Sequence, residues 1–93
     1  TDKYLPTEIS LNNAHPNPFN PVTMLSYDVP DRMNVGLSIY DIQGRLVDEL
    51  VNDMFDQGRY EIIWNANQHA SGIYIIQMTA GRTVEMQKIM LVK

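Results

Sequence analysis

Apolar and polar residues alternate singly along several stretches of the chain. In residues 35–40, VGLSIY, the side chains of Val35, Leu37 and Ile39 place an apolar group at every second position. A period of two is typical of an antiparallel β-strand with one buried and one exposed face. Similar segments recur between turn residues, so the pattern predicts a chain built mainly of short strands.

Seven extended segments are predicted in this way. They are residues 8–12, 22–29, 35–40, 45–51, 59–65, 73–79 and 83–92. Ala80-Gly81 is expected to form the tight hairpin turn between the last two segments. In the final segment the alternation slips between Met86 and Ile89, which indicates a β-bulge near Lys88.

The segment NDMFDQG, residues 52–58, is expected to be a loop. The spacing of Leu50, Met54 and Phe55 leaves open a single helical turn within it. The chain otherwise has poor helical signals, because Val, Ile, Tyr and Thr are frequent and turn residues interrupt every short run.

Seven short strands with regular turn signals favour one fold class, an all-β, seven-stranded antiparallel immunoglobulin-like β-sandwich. A small closed barrel is the alternative. The 93 residues suit one domain, which we expect to span residues 8–93. The chain begins with Thr1 and not with Met, so we interpret it as a piece of a longer polypeptide and residues 1–7 as a linker from a preceding domain.

Charge and composition narrow the function. The net charge of −4 and the scattered basic residues argue against a nucleic-acid partner, since phosphate binding needs a basic face. Cysteine is absent, so no disulfide or thiolate metal site can form. No run approaches the roughly 20 apolar residues of a membrane helix, and we expect no transmembrane segment.

The stretch HPNPFNP, residues 15–21, holds three prolines around one phenylalanine. Proline fixes φ and removes an N–H donor, so this run cannot lie in a central strand. We interpret it as a rigid corner between the first two strands, anchored to the core by Phe19. Asn17 and Asn20 are expected to bond neighbouring backbone. A polyproline recognition segment is the alternative, although the spacing is not PxxP.

The stretch DIQGRLV, residues 41–47, has the signature of a type I turn closed by a left-handed residue. Asp41 is expected to cap the turn and Gly44 to supply a positive φ. Arg45 is then placed to pair with Asp41 across the turn. The alternative is a site in which Asp41 ligates a metal and Arg45 binds a carboxylate.

Other polar and aromatic residues give only weak signals of chemistry, because none lies in a motif of suitable spacing. The candidates are His15 and His69 for a metal, Asn52, Asp53 and Asp56 for calcium, Ser71 as a nucleophile, and Trp64 as a sugar-stacking platform. Trp64 is better interpreted as a core residue. No acid/base pair stands out, so we expect neither catalysis, nor a cofactor, nor a metal.

The order of four motifs carries further information. HPNPFNPVTMLSYDVP, VGLSIYDIQGRLVDELV, QGRYEIIWNANQHASGIYIIQM and MQKIMLVK together resemble the C-terminal sorting domain of the type IX (Por) secretion system. The resemblance covers about residues 11–93. The immunoglobulin-like domain of flagellar hook-capping proteins is similar in part of this pattern.

The resemblance implies a set of motif residues, from a PNP…L motif, a DxxGRxV motif and a final GxY…K…V pattern. These residues are Pro16, Asn17, Pro18 and Leu25, then Asp41, Gly44, Arg45 and Val47, then Gly72, Tyr74 and Lys88. A terminal hydrophobic residue, Leu91 or Val92, completes the pattern. Lys93 is included as the end of the tail that we expect to be recognised.

The resemblance also implies a role. Such a domain is a non-catalytic address on secreted cargo of Gram-negative bacteria, read by an outer-membrane translocon after export to the periplasm. A sortase-like protease then commonly removes it, and the cargo is attached to the cell surface or released outside the cell. The alternatives are a carbohydrate-binding or spacer sandwich of an extracellular enzyme and a hook-assembly role.

A mechanism follows from the last segment, in which Lys88 and Lys93 flank an apolar run. We expect the final strand to be presented at a sheet edge, where it could pair with a strand of another protein. This hypothesis makes the backbone edge of residues 88–93 the recognised feature.

Overall fold

A computed structural model describes residues 5–93 of the chain. The first four residues of the predicted linker lie outside the described residues. Pro6 is fully buried, and its carbonyl oxygen accepts a hydrogen bond of 2.9 Å from the Gln57 side chain. This contact places Pro6 against the domain, while the boundary between residues 7 and 8 stays a prediction.

Seven strands form within the described residues, and no helix accompanies them. They are β1 (Ser10–Leu11), β2 (Val22–Val29), β3 (Met33–Asp41), β4 (Leu46–Phe55), β5 (Gly58–Asn65), β6 (Gly72–Ala80) and β7 (Thr83–Leu91). The first sheet has the order β1-β2-β5 and the second has the order β4-β3-β6-β7, with all strand pairs antiparallel. The prediction of a seven-stranded antiparallel sandwich is confirmed.

The core lies between the two sheets and is formed by the alternating residues that the sequence pattern marks as apolar. Val35, Leu37 and Ile39 of β3 are completely buried. In the same sheet, β6 and β7 contribute Ile76, Met78, Ile89 and Leu91. The facing sheet contributes Leu25, Tyr27 and Val29 from β2 and Trp64 from β5. Because each strand buries only one face, the remaining side chains of β6 and β7 form an outer surface.

Strand β4 corrects one prediction. Residues 52–55 are not a loop or a helical turn, because β4 continues to Phe55, which lies opposite Met33. Hydrogen bonds to β3 pair the backbone groups on that side of β4, although apolar and polar residues alternate poorly in this part of the sequence. Most side chains at this end of β4 are exposed, as befits the edge strand of a four-stranded sheet.

The bulge predicted near Lys88 is also wrong, since β6 and β7 pair without interruption from Gly72↔Leu91 to Ala80↔Thr83. The two register shifts of this sheet lie between β3 and β4 instead, next to Leu37/Ser38 and Ile39/Tyr40. The β6–β7 hairpin is confirmed, but its two-residue turn is Gly81-Arg82 and not Ala80-Gly81, because Ala80 still pairs with Thr83. Gly81 has a φ of 59°.

The apparent slip in β7 has another cause, because two polar residues face inward. The Glu85 carboxylate accepts a hydrogen bond of 2.7 Å from the Leu11 backbone N–H. The Gln87 amide accepts one from the Ala14 N–H and donates one to the Asn12 carbonyl, both at 2.7 Å. These side chains join β7 to the β1 segment, so the register continues while the apolar pattern breaks.

Candidate recognition site

The proline corner, residues 15–21, lies across the edge of β7 and hydrogen-bonds to its backbone. The Asn17 side chain accepts a bond of 3.0 Å from the Met90 N–H and donates one of 3.3 Å to the Lys88 carbonyl. The Phe19 N–H donates to the Met90 carbonyl, and the Val92 N–H donates to the Phe19 carbonyl, both at 2.9 Å. Residues 17–19 therefore act as a short covering strand on this edge.

Contacts with buried residues of the core hold the corner in place. Phe19 is 2% exposed, and its ring centroid lies 5.7 Å from that of Trp64. The buried Thr23 hydroxyl donates a bond of 2.7 Å to the Pro16 carbonyl, which fixes the segment where β2 begins. The predicted anchoring by Phe19 is confirmed, but Asn17 bonds a distant strand and not the neighbouring backbone that we expected.

This arrangement corrects the expected free edge. From the Lys88 carbonyl to the Val92 N–H, the outward backbone groups already have partners in the corner. A strand from another protein could pair here only after displacing Asn17 and Phe19. This part of the β7 edge therefore offers no unpaired backbone group between the Lys88 carbonyl and the Val92 N–H.

The DIQGR turn has the predicted geometry. The Asp41 carboxylate accepts backbone N–H bonds from Gln43 at 2.9 Å and Arg45 at 3.0 Å, and the Arg45 Nε–H donates to its other oxygen at 2.8 Å. Gly44 has a φ of 84°, a conformation that disfavours any side chain. Because these bonds use both carboxylate oxygens and the guanidinium, they favour a structural role for the pair.

The hydrogen bonds of the turn favour the charged form of its aspartate. The backbone N–H bond from Arg45 holds the pKa of the Asp41 carboxyl below its usual value of 3.8, and the Arg45 side chain and the Gln43 N–H act in the same direction. The opposite direction applies to Tyr27, because burial and the neighbouring Tyr60 raise the pKa of its phenol above 10.0.

The GxY motif connects the core to the start of β6. Tyr74 is buried, its ring centroid lies 5.5 Å from that of Trp64, and its hydroxyl donates to the Ala70 carbonyl. Gly72 lies opposite Leu91 and has a φ of 151°. The buried tyrosine of the motif therefore holds the loop that leads into β6, and its ring does not face solvent.

Strand register brings these distant motifs to one end of the four-stranded sheet. Asp41 is opposite Tyr74, and Tyr74 is opposite Ile89. The next row joins Tyr40 through Ile75 to Lys88. The DIQGR turn, the GxY motif and the end of β7 with its proline corner thus form one continuous region.

Two of the expected motif residues contribute differently. Leu25 is completely buried in the middle of β2, opposite Ile62, so it belongs to the general core and does not join this region. Val47 lies at the second register shift of β4, beside the row that contains Tyr40, and is half-buried. Its place at the bulge relates it to the DIQGR turn.

The tail closes the same end of the molecule. The Lys93 ammonium donates a hydrogen bond of 2.8 Å to the Asn67 carbonyl, and its backbone N–H donates one of 3.0 Å to the Ser71 hydroxyl. The Ser71 oxygen therefore serves the tail. Two sequence candidates, Lys93 and Ser71, are brought together, although neither lies in a catalytic arrangement.

The outer face of β6 and β7 carries two shallow hollows that the motifs alone do not reveal. One, of about 260 Å³, lies between Pro18, Ile73 and Met90. The other, of about 380 Å³, lies between Ile42, Met86 and the turn. The sequence held a signal for this surface, because the outward positions of the last two strands are unusually apolar.

The remaining candidates are not assembled into a site. No group of three or more His, Asp or Glu side chains suited to a metal occurs in residues 5–93. The His69 ring lies 5.6 Å from that of Trp64, and Asp53 and Asn52 are neighbours on an extended strand. Trp64 is 1% exposed and donates its indole N–H to Asp48 at 3.1 Å, so the core interpretation is confirmed.

Comparison with known families agrees with the motifs that meet at one end of the four-stranded sheet. A family model described as the secretion system C-terminal sorting domain matches residues 13–93. The chain belongs to this family. No curated protein and no solved structure matched the chain significantly.

Membership gives the sorting domain its general role. The family is that of C-terminal sorting signals for type IX secretion, and it is non-catalytic in general. Such a signal implies contact with the secretion machinery and export to the cell surface or the extracellular space. In the described part of the chain, no helix has the length and apolar character needed to cross a membrane.

Proposed function

We propose that residues 8–93 direct a covalently linked upstream cargo protein from the periplasm across the outer membrane, and that residues 1–7 link the two. An outer-membrane translocon reads the folded domain. A sortase-like protease then removes it, and the cargo is attached to the surface or released. The family match over residues 13–93 carries this proposal.

The geometry supports recognition of a folded shape over recognition of an extended peptide. Apart from Leu25, the motif residues that the family resemblance implies meet at one end of the sandwich only when the chain is folded, since Asn17 bonds Lys88 from 71 positions away. We therefore propose that Pro16, Asn17, Pro18, Asp41, Gly44, Arg45, Val47, Gly72, Tyr74, Lys88 and Lys93 build or border the recognised region. Leu25 supports it through the core.

The test is a periplasmic reporter fused to the N-terminus of the 93-residue chain in a bacterium with an active type IX system. We expect the reporter at the cell surface or in the medium, and in the periplasm of a translocon-deficient strain. Periplasmic retention in the competent strain, with the domain folded and intact, would contradict the proposal.

Cleavage needs its own measurement, because export and processing are separate steps. Mass spectrometry of the exported reporter should find a new C-terminus before residue 8. If the exported reporter still carries the whole sandwich, the proposed sorting role stands but the proposed cleavage is refuted. The same sample separates attachment from release by its partition between cells and medium.

The alternative of a carbohydrate-binding or spacer module has less support. Every Phe, Tyr and Trp ring in the described part of the chain belongs to a buried or half-buried residue, so a flat exposed platform of these rings for sugar stacking is missing there. A relation to the domain of flagellar hook-capping proteins stays part of the proposal. A hook-capping domain with the same three-plus-four strand order would support it.

A further inference from the structure

The outer face of β6 and β7 is apolar where a solvated sheet face would be polar. We define the outer β6–β7 face as Ile73 and Ile75 of β6 with Met86, Lys88 and Met90 of β7. Met86 is 66% exposed and Met90 42% exposed. Single exposed apolar residues are ordinary, but a contiguous group on adjacent strands marks an interaction surface.

One cation lies in the middle of this face. Lys88 is opposite Ile75, and along β7 it lies between Met86 and Met90. Among the described residues, no carboxylate forms an ion pair with its ammonium group. The domain as a whole is acidic, with a net charge of −4, so an exposed lysine between the two hollows is a local departure from its general charge. The second hollow is also lined by Gln77 and by Asp41, whose carboxylate is paired with Arg45.

The spacing of these side chains defines the complementary ligand. Met86, Lys88 and Met90 point to the same side of β7 and extend over about 13 Å at the usual rise per residue. An extended segment that follows β7 presents its own alternate side chains at the same interval. Two apolar groups would then enter the hollows while a carboxylate between them meets the ammonium of Lys88.

We propose that the outer β6–β7 face docks an extended segment of a secretion-machinery protein with an apolar–acidic–apolar pattern at alternate positions. The inference rests on the proposed function and names the chemistry of the partner. Docking uses side chains, because the corner covers the β7 backbone edge over residues 88–92. Methionine suits such a surface, since its flexible thioether adapts to the side chain that it contacts.

The outer face of the other sheet provides a matched control. It carries Met24, Glu61 and Ile63 on adjacent strands, with Met24 opposite Ile63. Met24 is 37% exposed and Ile63 62% exposed. A triple threonine variant there removes one methionine, one charge and one further apolar group, as does Met86→Thr, Lys88→Thr, Met90→Thr on the proposed face. Threonine keeps the strand propensity in both variants.

Binding can be measured with a defined probe. The isotope-labelled 93-residue chain is titrated by NMR with the blocked heptapeptide Thr-Leu-Thr-Glu-Thr-Leu-Thr, and separately with the same peptide carrying Lys in place of Glu. We expect shifts on the outer β6–β7 face and binding about fivefold tighter for the Glu peptide at low salt. Equal binding, no binding, or shifts on the opposite sheet would overturn the proposal.

Two further measurements identify the kind of partner. Lys88→Glu should reverse the preference between the two peptides, and an unchanged preference would contradict the role of the lysine. Phosphatidylglycerol vesicles should not bind the chain. Vesicle binding that is lost in the Met86, Lys88, Met90 triple variant would assign the face to a lipid surface and overturn the proposal.

Export of the reporter separates this inference from the proposed function. We expect the wild-type fusion and the Met24, Glu61, Ile63 variant to reach the surface, and the Met86, Lys88, Met90 variant to fall at least tenfold while its thermal unfolding stays unchanged. Normal export of that variant refutes the docking face alone. Retention of the wild-type fusion refutes the sorting role itself.

Discussion

The four-stranded sheet has two edges, and the chain protects them in different ways. At the β7 edge, Asn17 and Phe19 bond the backbone and cover it. At the β4 edge no segment within residues 5–93 bonds the outer backbone in this way, and the strand instead has two register shifts and the exposed charges of Glu49 and Asp53. Coverage and charge both prevent unwanted strand pairing. At the β7 edge, the covered backbone lies next to the apolar outer surface that includes Met86 and Met90.

Removing the anchor of the corner should have the largest effect. Phe19→Ala leaves a cavity beside Trp64 and frees the segment that covers β7, so we expect a loss of about 3–5 kcal/mol in the free energy of unfolding. Urea denaturation measures it. Ile63→Ala, on the exposed outer face of β5, is the control and should cost less than about 0.5 kcal/mol. Similar losses for the two variants would show that Phe19 is no anchor.

Loosening the cover without removing the anchor should have a smaller effect. Asn17→Ala deletes the two side-chain bonds to β7 and should cost about 1 kcal/mol. The local signature is faster hydrogen exchange of the Met90 amide, which donates to Asn17, with little change at Ile76 in the core. An unchanged exchange rate at Met90 would mean that the Asn17 side chain does not secure the edge.

The β4 edge can be tested by removing charge. Asp53 lies opposite Val35 on the inward side of an edge strand, a placement that opposes pairing with another sheet. Asp53→Val should leave the free energy of unfolding within about 0.5 kcal/mol of the wild type but promote association, measured by sedimentation velocity. Val84→Thr on β7 is the control. A monomeric Asp53 variant at high concentration would contradict protection by charge.

The smallest expected effect is the loss of stability at acidic pH when Asp41 is protonated. Because the folded-state pKa of Asp41 is lowered below 3.8, its charged form adds stability above that pH, and this stability is lost as pH falls through the folded pKa. Asp41→Asn should therefore be less stable than the wild type at neutral pH, and the difference should shrink well below pH 3.8. Urea denaturation at both pH values measures this difference, and a gap that stays constant would exclude the linkage.

Local patterns were enough to predict most of the fold. The alternation of Val35, Leu37 and Ile39 fixed the inward face of β3, and the Asp41 and Gly44 signature fixed the turn. These features depend on neighbouring residues only, so a single sequence contains the information. The same holds for the hairpin at Gly81.

The errors arose where distant residues decide the structure. Residues 52–55 form strand because they pair with β3. Gln87 faces inward, where its side chain bonds the Ala14 N–H and the Asn12 carbonyl. The bond between Asn17 and the end of β7 joins residues more than 70 positions apart. Single-sequence periodicity does not report such partners, so the closed β7 edge could be found only in the folded structure.

The most direct test of the sorting role is the fraction of a fused reporter that reaches the cell surface or medium in a type IX-competent strain. We predict that the 93-residue chain is sufficient for this transfer and that transfer stops without the translocon. A folded, intact fusion that stays in the periplasm of the competent strain would contradict it.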